Sequence, residues 1–86
     1  MEIKKKTWPK EFQEILEGKK KFEIRLADFN IKEGDLLILE EYNPETKKYT
    51  GRIIRKKVSF VTKPELDKWY NLKDIKKFGL YGIGLE

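Results

Sequence analysis

Gly18-Lys19-Lys20-Lys21-Phe22-Glu23-Ile24-Arg25 is where one periodicity gives way to another. Upstream, Phe12, Ile15 and Leu16 fall at i, i+3 and i+4, which is one face of a helix. Pro9 suits the first turn of that helix, where its missing N–H costs nothing. Glu11 and Glu14 lie toward the positive end of its dipole, and Gly18 is a natural stop. Downstream the pattern has period two. Phe22, Ile24 and Leu26 alternate with Lys21, Glu23 and Arg25, as in a half-buried strand.

Working outward, Ile3 to Thr7 reads as a short first strand. Lys32-Glu33-Gly34-Asp35 reads as a turn, with Phe29 and Ile31 as anchors before it. Leu36 to Tyr42 is a strongly apolar strand. Asn43-Pro44-Glu45-Thr46 is a turn signal, because Asn initiates turns and Pro presets the next dihedral. Tyr49 to Val61 then returns as the second arm of a hairpin. Pro64 is placed to start a second helix carrying Leu66, Trp69 and Tyr70, with a further short turn over 72–77. Gly79-Leu80-Tyr81-Gly82-Ile83-Gly84-Leu85 reads as a closing strand whose glycines imply curvature or close backbone approach. The predicted order is β-α-β-β-β-(α)-β. Its class is α+β, mainly β: a small barrel of about five strands with an N-terminal helix beside it, in a single domain over 1–86.

Composition narrows the chemistry. The 86 residues suffice for one modest core. A 13% aromatic share opposes disorder, since those side chains offset ordering entropy. The chain has no cysteine and no histidine. Disulfides, thiolate metal sites, cysteine nucleophiles and the commonest general base are thereby excluded. No apolar run nears the roughly 20 residues that span a bilayer, and no signal-peptide pattern follows the basic start. The expectation is a cytoplasmic protein with no membrane association. Net charge is +5, and it is uneven: residues 1–43 carry 9 basic against 10 acidic side chains, residues 44–86 carry 11 against 5. The excess gathers at Arg52, Arg55, Lys56 and Lys57, and again at Lys73, Lys76 and Lys77. Such a surface attracts polyanions, although a Lys/Glu-rich solubilising surface looks the same in composition.

The spacing Gly18, Lys20, Glu23, Arg25 matches G-x-K-x-x-E-x-R without departure. In this the chain resembles the ASCH family of the PUA-like superfamily. Asp28 to Leu36 looks like that family's turn into its central strand, and Tyr42-Asn43-Pro44, Tyr49-Thr50-Gly51-Arg52 and the strand over Val58–Val61 resemble a compact prokaryotic and phage branch of it. The resemblance is weakest over 63–78. It implies a PUA-like barrel with a cleft beside the helix, binding RNA or nucleotide-like ligands.

The chemistry of these residues is compatible with such a cleft, although alternating charges on a strand are more often a solvated face. Glu23 and Arg25 are same-face neighbours about 7 Å apart by strand rise, and Lys20 adds a cation at the junction. A carboxylate between two cations suits a base edge beside a phosphate or sugar. It equally suits a structural ion pair between strand and helix. Candidate binding residues are therefore Lys20, Glu23, Arg25, Glu41, Tyr49, Arg52, Arg55 and Lys57. Arg55 and Lys57 share one face of their strand, while Ile54 and Val58 share the other. Trp8, Tyr42, Tyr49, Trp69 and Tyr70 are candidate stacking platforms, or caps on the barrel ends.

Catalysis has weaker support. Some small bacterial ASCH proteins are amidohydrolases on acetylated cytidine, with a motif lysine, a threonine three residues on and a distant glutamate. Lys20 matches the lysine, but Glu23 stands at the threonine position. A carboxylate nucleophile would form a reactive anhydride, so the departure argues against that activity. Lys20 and Glu23 could still form an acid–base pair, assisted by Glu41 or Glu65. Glu40 and Glu41 point to opposite faces of a strand and would not share a metal; no metal or cofactor is expected. A protein partner anchored on Trp69 and Tyr70 is a further reading.

Overall fold

The computed structural model describes residues 1–63 and 79–86. The expected second helix after Pro64, its Leu66, Trp69 and Tyr70, the turn over 72–77, and Glu65 lie outside the described residues.

The elements are β1 (Glu2–Thr7), α1 (Pro9–Leu16), β2 (Phe22–Leu26), β3 (Leu36–Asn43), β4 (Lys48–Thr62) and β5 (Leu80–Leu85). Over the described residues the elements follow the predicted order. The strands form one mixed sheet in the order β1-β3-β4-β5-β2. β1 runs parallel to β3, and the other pairs are antiparallel. Among the described residues the expected barrel is not closed by a backbone ladder: β1 and β2 are the two edges of the sheet. No helix among the described residues is long and apolar enough to cross a membrane.

Helix α1 starts and stops where its sequence says. The proline at position 9 pushes Trp8 into an extended conformation (φ −70°, ψ 154°), and the Trp8 carbonyl accepts the first helical bond, from Phe12. At the other end Gly18 adopts φ +77°. This lets Gly18 N–H reach the Ile15 carbonyl at 3.1 Å and Lys19 N–H reach that of Glu14 at 3.0 Å. That pair of bonds is a Schellman stop, and it delivers the chain directly into β2. Phe12 and Ile15 are buried, but Leu16, the last helical residue, is exposed because the chain turns away there.

The core joins Phe12 and Ile15 to Leu37 and Leu39 of β3, Ile54 and Val58 of β4, and Ile83 and Leu85 of β5. Phe29 and Ile31 pack against it as anchors, and Phe29 meets Tyr81 edge to face at 5.4 Å.

The alternation of β2 is present but turned over. Glu23 is buried at 3% exposure, whereas Phe22 and Ile24 are 51% and 62% exposed. The reason lies in the neighbouring strand. Glu23 sits opposite buried Ile83, so both face inward. Phe22 sits opposite Gly84 and Ile24 opposite Gly82, so the outward apolar side chains flank bare backbone.

Candidate functional site

The inward face of β2 meets the start of α1 and the end of β1. Lys6, Thr7, Trp8, Glu11, Lys20, Glu23, Ile24 and Arg25 line a cavity of about 380 Å³ there. The three motif side chains are thus brought together. Arg25 Nε donates to Glu23 Oε2 at 2.7 Å. A terminal nitrogen of the same guanidinium donates to the Lys6 carbonyl at 2.7 Å and to Thr7 Oγ1 at 3.2 Å. One arginine therefore orients the carboxylate and ties β2 to β1. Lys20 Nζ lies 3.7 Å from Glu23 Oε1, an ion pair without a hydrogen bond. Among the described residues Oε1 has no hydrogen-bond donor, and Glu23 has no buried orphan atom. Glu23 lines the cavity, and Oε1 is its oxygen with hydrogen-bonding capacity left. Trp8, 60% exposed, stands at the rim.

A second polar group lies on the far side of α1. β3 and β4 fall out of register between Glu40 and Tyr42, where Gly51 adopts φ +93°. The irregularity turns both Thr50 and Arg52 toward Glu41. Thr50 Oγ1 donates to Glu41 Oε1 at 2.6 Å, and Arg52 grips both carboxylate oxygens at 3.0 and 3.1 Å. Arg52 also donates to Gln13 Oε1 of α1 at 3.1 Å and covers the Phe12 ring. The Arg52 guanidinium, then the Thr50 hydroxyl, hold the Glu41 carboxyl below its ordinary range. Glu41 and Arg52 form a closed clamp between helix and sheet, outside the cavity lining. Tyr49 packs edge to face on Tyr42 at 5.1 Å, with Lys6 Nζ 4.4 Å from the Tyr42 ring centroid.

The remaining predicted residues sit elsewhere. Arg55 and Lys57 are exposed on β4, opposite in face to Ile54 and Val58 as expected, and neither lines this cavity. Lys57 borders a separate depression with Glu33, Gly34 and Ser59. Lys6, Thr7 and Glu11 belong to the cavity but were not legible in the motif. Their one signal is position: β1 ends at Thr7, immediately before Trp8-Pro9 starts the helix.

A family model described as "Domain of unknown function (DUF3850)" matches residues 3–75. An uncharacterized 12.9 kDa protein in the GpA 3′ region of Escherichia phage P2 is 39% identical over 64 residues, which is 74% of this chain. The chain spans 55% of that relative's length. A crystal structure of hypothetical protein PH0355 superposes with a TM-score of 0.75 at 23% identity, over 100% of this chain and 98% of that one. That likeness concerns the fold.

Proposed function

The chain belongs to the DUF3850 family, and we propose that it is a binding module for RNA or a nucleotide-like ligand, of the ASCH type in the PUA-like superfamily. The observation that carries this reading is Glu23. Its side chain is buried, it lines the cavity, one oxygen is fixed by Arg25, and the other has no hydrogen-bond donor among the described residues. A carboxylate so placed accepts from an exocyclic amine or ring N–H of a base. About 380 Å³ accommodates a ligand of nucleoside size, and Trp8 at the rim offers a stacking face. Lys20 supplies a cation for a sugar or phosphate. The tie from Arg25 to the Lys6 carbonyl brings the two sheet edges together through a side chain, in support of the barrel reading. We place the protein in the cytoplasm, where such ligands are found.

The test is an NMR titration with ribonucleosides and short RNA. The amides of Glu23, Arg25 and Trp8 should shift. A response confined to Arg55, Lys57 and other surface cations, abolished by salt, would overturn the reading.

One observation favours a second reading, a small hydrolase on a modified nucleoside. Thr7 brings a hydroxyl into the cavity from outside the motif, within hydrogen-bond distance of Arg25. Incubation with acylated nucleosides, followed by chromatography, decides it; folded protein without turnover removes it.

A further inference from the structure

A second cavity, of about 260 Å³, adjoins the first and shares Lys20 with it. Its other lining residues are Ile15, Gly18, Lys21, Lys56, Leu85 and Glu86. The floor is apolar, since Ile15 and Leu85 are buried core residues. Three lysines surround it against one glutamate.

Lys56 is the informative member. Residues alternate between the two faces of a strand, and Lys56 falls between buried Ile54 and Val58. It is a cation on the apolar face of β4, and it is half-buried, whereas Arg55 and Lys57 on the other face are exposed. A lysine on a core-facing position ordinarily has a carboxylate partner. Among the described residues Lys56 has no ion pair, and neither does Lys21. Glu86 borders the same cavity without pairing with either.

We infer that this second cavity is a phosphate subsite, one step along a nucleotide from the base site, with Lys21 and Lys56 as its cations. The inference rests on the base-site reading of the Glu23 cavity. The apolar floor suits a ribose face, and the lysines act as point charges for the phosphate oxygens. Lys20, at the border of both cavities, stands where base-bearing sugar and phosphate meet. The phosphate belongs either to a free nucleotide or to the next linkage of a strand. The chemistry at the subsite is the same.

The experiment is calorimetric titration of the full chain with the four ribonucleosides, their 5′- and 3′-monophosphates, and the corresponding dinucleotides. The expected result is a gain of about tenfold or more in affinity from nucleoside to phosphorylated form. A gain complete in the monophosphate marks a free nucleotide; a further gain in the dinucleotide marks a strand. In Lys56→Ala, and separately in Lys21→Ala, the ratio of phosphorylated to nucleoside affinity should fall toward one. The dependence of log K on log salt should become shallower by about 1 in each. Lys21 is exposed, so its variant keeps the test open should Lys56→Ala unfold. Nucleosides that bind while phosphate adds nothing, or a gain untouched by both substitutions, would overturn the subsite and leave the base site standing. Absence of binding by every nucleoside, monophosphate and dinucleotide would sink both.

Discussion

Arg25 on one edge of the sheet donates to the backbone carbonyl of Lys6 on the other edge at 2.7 Å. The same guanidinium fixes Glu23. Fold and site thus depend on one planar fork. Arg25→Lys keeps the charge but cannot serve Glu23, Lys6 and Thr7 at once. On the proposed reading affinity for the ligand should fall more than tenfold, and stability should drop by about 1–3 kcal/mol, the range for leaving a buried polar group such as the Glu23 carboxylate unsatisfied. Amide exchange at the end of β1 should accelerate. Unchanged exchange at Thr7 would show that the edges are held by something else.

Glu23→Gln tests recognition with little change of shape. The amide oxygen can still accept from Arg25, but an NH₂ then replaces the other carboxylate oxygen. On the proposed reading a donor then faces a base amine, which reverses the match. Affinity should fall about tenfold or more, equivalent to roughly 1.4 kcal/mol, while circular dichroism stays as in the parent. Equal affinity of the two proteins would reduce Glu23 to a structural partner of Arg25.

The helix, its stop at Gly18 and the order of strands were legible because each rests on local chemistry: Pro9, the i, i+3, i+4 spacing and a positive-φ glycine. The alternation of β2 was legible too, but its direction was not. Period two says which residues share a face, and says nothing about which face is inside. That was decided by Ile83 and the glycines of β5, some 60 residues away in sequence. The same limit hid Thr7 and Lys6, which reach the cavity only through the parallel pairing of β1 with β3 and the reach of Arg25. Glu41 and Arg52 were legible as charged residues, while their closure into a clamp depended on the register shift around Gly51.

That clamp carries a pH signature. Arg52 and Thr50 lower the folded-state pKa of Glu41, and the Lys32 backbone N–H, with other groups, lowers that of buried Asp35. A carboxyl whose pKa is depressed on folding contributes stability that is present above its unfolded value, about 4. The contribution is lost as pH falls through the folded value. Thermal melts should therefore be level near neutrality and decline below about pH 4. Glu41→Gln should melt lower at pH 7 and converge on the parent in acid. Parallel curves for the two proteins down to pH 3 would mean that Glu41 is not the group responsible.

Gly84 tests the packing behind the site. A Cβ built there would lie 2.7 Å from Ser59 Oγ and 3.5 Å from Phe60 Cβ. Both neighbours belong to the register shift of β4 between Val58 and Phe60. The added methyl forces the Ser59 hydroxyl to rotate or the two strands to part, so Gly84→Ala should cost about 1–3 kcal/mol in urea unfolding, as overpacking does. Gly84 carries no positive φ, which makes the steric account separable from a backbone one. Removing the hydroxyl in Ser59→Ala should be close to neutral alone and should recover much of the loss in the double variant. The coupling energy from that cycle is the decisive quantity. A double variant as unstable as Gly84→Ala would assign the constraint to the Phe60 side instead, where the backbone nitrogen lies 3.6 Å from the added methyl.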